Sequence, residues 1–173
     1  MKKLVVALML LLGTGVSFSQ KQSVKVNPLA FFGGSDLVSY ERAINNNVSG
    51  LVGVGFSSFS VGTYDYTSYG VEAQGRYYFK EAIKGFYGGG QVGFNTGKVE
   101  LNSTFFTNSD ISYTSIRIGG KAGYQWIWSS GLTVDLNVGY GLNTFSYNSD
   151  NAMLGLSASG AFPNLGFGIG YSF

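Results

Sequence analysis

The strongest constraint in this sequence is a two-residue rhythm that runs to its last residue. In the closing stretch NLGFGIGYSF, residues 164–173, Leu165, Phe167, Ile169, Tyr171 and Phe173 share one parity, and Gly166, Gly168, Gly170 and Ser172 the other. Such alternation marks a strand whose two faces meet different surroundings. Chain ends are ordinarily polar and frayed, so an apolar set carried this far asks for a strand that is held to its end.

The same rhythm returns upstream. Residues 68–79 set Tyr69, Val71, Ala73, Tyr77 and Phe79 against Glu72, Gln74, Arg76 and Tyr78. Residues 85–95 set Phe86, Val92 and Phe94 against Tyr87, Gln91 and Asn95; residues 115–126 set Ile116, Ile118, Ala122, Tyr124 and Trp126 against Arg117, Lys121 and Gln125. In 132–143 an apolar set from Leu132 to Leu142 faces Asp135, Asn137 and Asn143. Three weaker segments, 24–32, 37–44 and 50–59, complete a predicted set of eight strands. Pro28 sits inside the first, where a missing N–H is tolerated only at a bulge or an unpaired edge, so the register of that strand is left open.

An even number of strands returns both ends of an up-and-down barrel to one side. The connections NNN (45–47), KEAIK (80–84) and SSG (129–131) are short, whereas GGSD (33–36), SVGTYDYT (60–67), 96–113 and 144–161 join strands on the other side. Short periplasmic turns and longer outer loops are the habit of outer-membrane barrels. Tyr77, Phe79, Trp126, Trp128, Tyr171 and Phe173 fall near short-turn strand ends, where rings at a membrane interface would form a girdle.

Composition decides which face goes inside. Charged residues are 12% of the chain, about half the share in a typical soluble domain. A soluble barrel with the apolar set inside would show water a face of Gly, Ser, Asn and Gln with few charges, poorly defended against edge pairing. The polar set is better housed within the ring. Pairing residues whose numbers sum to about 165 or about 260 across successive hairpins sets directly opposed residues on one face. Glu72 then meets Gly93, Arg76 meets Gly89, Lys121 meets Gly139 and Asp135 meets Gln125. Long charged chains thus face small neighbours, and an eight-stranded ring has room only for side chains. A filled interior is expected. Buried ions need partners, and Glu41, Glu72, Arg76, Arg117, Lys121 and Asp135, three acids and three bases, are the expected interior network.

The chain begins MKKLVVALMLLLGTGVSFSQ, with an apolar run over 4–12. That run is too short to cross a bilayer as a helix. It reads as a secretory signal peptide, residues 1–19, ahead of a single barrel domain, residues 20–173. Removing Lys2 and Lys3 lowers the basic count from 11 to 9, equal to the 9 acids, so charge gives no reason to expect nucleic acid. The absence of Cys excludes disulfides, thiol chemistry and a lipidated cut site; the absence of His removes the commonest general base and transition-metal ligand. No cofactor or metal is expected.

Two segments, VKVNPLAFF followed by VSYERAI, and the terminal NLGFGIGYSF, give the chain a family likeness. It resembles the small eight-stranded outer-membrane β-barrel proteins of Gram-negative bacteria, the superfamily of OmpX-like, OmpW-like and OmpA-barrel proteins. The resemblance covers the mature chain. It implies an all-β, eight-stranded antiparallel up-and-down transmembrane barrel with a polar, side-chain-filled interior, porin-like in architecture. Such a protein sits in the cell outer membrane as a monomer in contact with outer-membrane lipid. The closing strand of these proteins ends in an aromatic and is read by the barrel-assembly machinery. By resemblance, Phe167, Ile169, Tyr171 and Phe173 would be that assembly signal.

The expected function is non-enzymatic: a structural anchor that displays loops 96–113 and 144–161 for surface interaction. Phe105, Phe106, Tyr113, Phe145, Tyr147 and Met153 are the candidate contacts, with their ligand left open. A narrow channel, or a transporter of small hydrophobic compounds as in OmpW-like proteins, is the alternative, and an ionic interior speaks against it. A lipid-modifying enzyme stands third. Barrels resembling deacylases or acyltransferases use His with Ser, and this chain has no His. The GGGQVG run at 88–93 lacks the Lys and Ser/Thr of a phosphate loop and reads as strand.

Overall fold

The computed structural model describes residues 21–32, 35–62, 64–101, 110–149 and 157–173. The expected signal peptide lies outside the described residues, as do Phe105, Phe106 and Met153. The alternating segments form strands β1 (Gln22–Val26), β2 (Val38–Ala43), β3 (Val48–Val61), β4 (Tyr64–Tyr78), β5 (Gly85–Leu101), β6 (Asp110–Ile127), β7 (Leu132–Ser149) and β8 (Ser157–Ser172). Each pairs antiparallel with its successor and β1 returns to β8, so the eight strands close into an up-and-down ring. Among the described residues no helix is long and apolar enough to cross a membrane, a fact without bearing on strands.

Parity sorts the side chains. On β4, Tyr69, Val71 and Tyr77 are exposed while Glu72, Gln74 and Arg76 are buried. On β7, Leu136, Val138 and Tyr140 are exposed while Asp135, Asn137 and Asn143 are buried. Glu72 lies opposite Gly93, Arg76 opposite Gly89, Lys121 opposite Gly139 and Gln125 opposite Asp135, the register required by the hairpin sums. A slip of one residue would exchange the two faces.

The first predicted strand is corrected. β1 stops at Val26, and Pro28–Phe32 forms a 3-10 helix in place of the expected strand. Asn27 turns the chain: its Oδ1 accepts from the Leu29 amide at 3.1 Å and its carbonyl from the Ala30 amide at 3.1 Å, while Pro28 has no N–H to give a ladder. The expected long loops are also shorter than their sequence boundaries. Residues 60–61 and 64–67 belong to β3 and β4, 96–101 and 110–113 to β5 and β6, and 144–149 and 157–161 to β7 and β8. Ser, Thr and Asn are frequent there, so the apolar rhythm fades while backbone pairing continues.

β1 and β2 leave a seam in the wall. β1 meets β8 through residues 23–26 against 169–172 and through the backbone bonds of Gln22 with Phe173, and β2 meets β3 through residues 38–43 against 49–54. Beyond Val54 and Ile169, β3 and β8 are bridged by the 3-10 helix, which packs on both. Ser57 Oγ on β3 donates to the Phe31 carbonyl; Ala30 is buried, and Leu29 and Phe31 are exposed. Past the helix the chain dips inward. A Cβ on Gly70 would lie 2.9 Å from Ser35 Cα, and one on Gly53 2.9 Å from Asp36 Cβ; these two glycines make the slot into which Ser35 and Asp36 fit.

At the short-turn end a side chain stoppers the ring. Ile83, in the turn between β4 and β5, is fully buried against Tyr78 and Tyr87. Its φ of 64° is the one positive value at a non-glycine among the described residues, a conformation that costs an L-residue about 1–2 kcal/mol. Gln125 Nε2 donates to the Ile83 carbonyl at 2.6 Å. The neighbouring turn adds Asn47 Nδ2 to the Tyr78 carbonyl at 2.9 Å, and the Ala82 amide donates to the Asn46 carbonyl at 2.7 Å.

Candidate functional site

Among the described residues, the charged side chains inside the ring form two layers and one outlier. In the layer nearest the short turns, Lys25 Nζ donates to Glu41 Oε2 at 2.6 Å, Gln125 Oε1 at 2.6 Å and Asp135 Oδ2 at 2.9 Å. Arg76 Nη1 donates to Asp135 Oδ2 at 2.7 Å and to Glu41 Oε2 at 3.3 Å, with its guanidinium 4.3 Å from the centre of the Tyr87 ring. Glu41 also accepts from Tyr78 Oη at 2.7 Å and Ser49 Oγ at 2.5 Å; Asp135 accepts from Tyr87 Oη at 2.8 Å and Asn137 Nδ2 at 3.3 Å. A carboxylate offers about four acceptor positions, and here each of the two is saturated. Two acids and two bases cancel in a space closed to water.

The next layer joins the inward dip to the wall. Lys121 Nζ donates to Glu72 Oε1 at 2.8 Å and pairs with Asp36 Oδ2 at 3.5 Å. Ser35 Oγ donates to Glu72 Oε2 at 3.0 Å, Gln74 Nε2 donates to Glu72 Oε1, and Asn27 Nδ2 donates to Asp36 Oδ1 at 3.1 Å. Of the six expected network residues, the ring thus brings Glu41, Arg76 and Asp135 into one layer and Glu72 and Lys121 into the other.

Arg117 stands apart. Its Nε donates to Asn143 Oδ1 at 2.7 Å, and it forms no ion pair among the described residues. It forms the floor of a cavity of about 360 Å³ on the side of the long connections, walled by Tyr66, Tyr113 and Phe145 with Asn95 and Ser115 between them.

Sequence reasoning missed Lys25, Asp36 and Ser35. Lys25 was within reach: in SVKV it stands on the opposite parity to Val24 and Val26, the same signal that assigned Arg76 and Lys121. Ser35 and Asp36 carry no such signal, because a connection has no parity.

The aromatic residues of the short-turn end lie on the outer wall, where Tyr77, Phe79, Trp126, Trp128 and Tyr171 are exposed. Tyr77 and Phe79 meet edge to face at 5.8 Å and Phe86 and Tyr124 at 4.6 Å, Tyr124 and Trp126 are tilted by 45° at 4.5 Å, and Tyr171 and Phe173 stack at 6.4 Å. Phe167, Ile169, Tyr171 and Phe173 share the outward parity of β8 and its end. Among the described residues no group of three or more Asp and Glu side chains is placed to hold a metal ion.

Comparison with curated proteins returned no match. A family model described as a protein of unknown function, DUF3575, matches residues 4–154, a span that ends just before β8. The chain therefore belongs to the DUF3575 family.

Proposed function

We propose that the protein is a non-enzymatic outer-membrane barrel that anchors its long-connection end at the cell surface for interaction there. The observation that carries this reading is the inversion of the two faces. Phe86, Leu142 and Leu165 are 65%, 65% and 73% exposed on the outer wall, while Lys25, Glu41, Arg76 and Asp135 are buried within. Water would penalise that arrangement and hydrocarbon would favour it. Strand length supports it too. A tilted strand crosses a bilayer with about 9–11 residues, and β5, β6 and β7 have 17, 18 and 18, so their far ends project beyond the apolar band. The aromatic residues at the short-turn end fit the interface on the periplasmic side. Buried Ser35 and Ser49 donate to carboxylates already held by cations, which gives neither hydroxyl a base for nucleophilic attack.

The test is an epitope placed at 129–131 or within 150–156. The protein should fractionate with outer membranes, with the second epitope labelled on intact cells and the first only after permeabilisation. Recovery in the soluble fraction, or the reverse labelling, overturns the reading.

A carrier of small hydrophobic compounds is the second reading, favoured by one feature: the seam between β3 and β8 is bridged by a five-residue helix, which a ligand could displace sideways. The saturated charge layers stand against passage through the ring. Step conductance from purified protein in a planar bilayer would favour a pore and refute the filled-ring reading.

A further inference from the structure

We propose that the cavity above Arg117 binds small aromatic carboxylates. The inference begins with unspent charge. Lys25, Arg76 and Lys121 each pair with two carboxylates, whereas Arg117 is held only through its Nε by Asn143 at 2.7 Å, leaving both terminal NH2 groups without a partner among the described residues. That single bond orients the planar group and keeps one NH2 edge available, the geometry that takes a carboxylate through two parallel hydrogen bonds. Arg117 is only half-buried, so an incoming anion reaches it without opening the charged layers beneath.

The walls choose the rest of the ligand. Tyr66 and Tyr113 lie nearly parallel, 22° apart with ring centres at 6.1 Å, and their hydroxyls touch. The gap is too narrow to admit a third ring between them, so a ligand ring would lie beside the pair rather than within it. Gly97 makes this possible: a Cβ there would lie 2.6 Å from the Tyr113 ring, which rests back against the bare backbone. Phe145 lines the same space, and Asn95 and Ser115 supply its polar contacts. With one cation and three rings, the cavity suits an acid on a flat body better than inorganic phosphate, which spreads more charge and offers nothing to stack. Its volume of about 360 Å³ lies at the small end of ligand sites, about 300–1,000 Å³. The inference depends on the inward geometry alone, and its failure would leave the membrane reading standing.

The experiment is calorimetric titration of the folded protein in detergent micelles with 2-naphthoate, 2-naphthamide and inorganic phosphate. Naphthoate should bind at least about tenfold more tightly than either, since only it matches both guanidinium and rings. Arg117→Gln should weaken naphthoate at least about tenfold while leaving the amide unchanged, and Arg117→Lys, which keeps the charge but loses the fork, should fall between. Retained heat-modifiable mobility on gels certifies that each variant is folded. Equal binding of acid and amide, tighter binding of phosphate, no heat from naphthoate at millimolar concentration, or an unchanged affinity in Arg117→Gln each overturns the proposal.

Discussion

Gln22 and Phe173 exchange two backbone hydrogen bonds: the Gln22 amide donates to the Phe173 carbonyl at 3.0 Å, and the Phe173 amide donates to the Gln22 carbonyl at 2.9 Å. The Lys21 amide adds a third, at 3.1 Å, to the same carbonyl. The last residue therefore closes the ring with its backbone, apart from whatever its side chain signals.

These two roles separate experimentally. Deleting Phe173 removes the closing bonds, each worth about 0.5–1.5 kcal/mol, and should lower stability in detergent refolding with no cellular factor present. Phe173→Ala keeps the bonds. It should refold nearly as well as wild type in vitro yet reach the outer membrane poorly in cells. Equal assembly of Phe173→Ala and wild type in cells would remove the side chain from any assembly signal.

Lys25 tests the lower charge layer. Lys25→Met leaves Glu41 and Asp135 sharing Arg76 alone, an uncompensated buried charge that should cost about 3–5 kcal/mol. The double variant Lys25→Met/Glu41→Gln restores neutrality and should recover a substantial part. Urea unfolding followed by tryptophan fluorescence measures both; additive losses would mean that the two residues act independently.

Gly70 tests the inward dip. Gly70→Val places a branched side chain where Ser35 Cα would be 2.9 Å from its Cβ, and should expel Ser35 and Asp36 from the ring. Hydrogen exchange should then quicken at residues 35–37 and remain slow in β5, β6 and β7. Unchanged protection at 35–37 would mean that the segment accommodates the bulk in place.

Gln125 holds the stopper. Gln125→Leu strips a partner from the Ile83 carbonyl and from Lys25 Nζ, and unsatisfied buried groups cost about 1–3 kcal/mol each. The midpoint of urea unfolding should fall accordingly, with protease cutting near residue 83 appearing below the main transition. A midpoint within error of wild type would show that the left-handed turn is held by packing alone.

The sequence was most legible where its two faces differ most. From Tyr69 to Tyr77, and again from Leu132 to Leu142, apolar and polar residues alternate, and the short turns turned that alternation into pairings such as Arg76 with Gly89. Legibility failed in two ways. Thr96–Leu101 is strand with its contrast changed: Thr96 and Lys98 take the outward parity that Val92 and Phe94 hold earlier in β5, while Val99 falls on the inward one, so the apolar rhythm no longer marks the outer face. Pro28–Phe32 is contrast without strand. Its Leu and Phe residues suggested a wall, but Asn27 and Pro28 redirect the backbone, and the positions of Ser35 and Asp36 depend on distant glycines at 53 and 70. The Arg117 cavity is half visible in the sequence: parity places Arg117 inside, but its isolation depends on which carboxylates the other cations take.

The brevity of β1 gives the wall a tear line. β6 and β7 are laced over residues 111–127, while the β1 edge holds the β8 edge through residues 21–26, the bonds of Lys21 and Gln22 to Phe173 included. Local opening follows the fewest bonds, so the molecule under tension would part there first and unroll from that margin, with the sheet from β3 to β8 still curved and intact. A force-extension trace of this protein should accordingly begin with one small step at the β1 edge, well before the large rips that undo β5, β6 and β7.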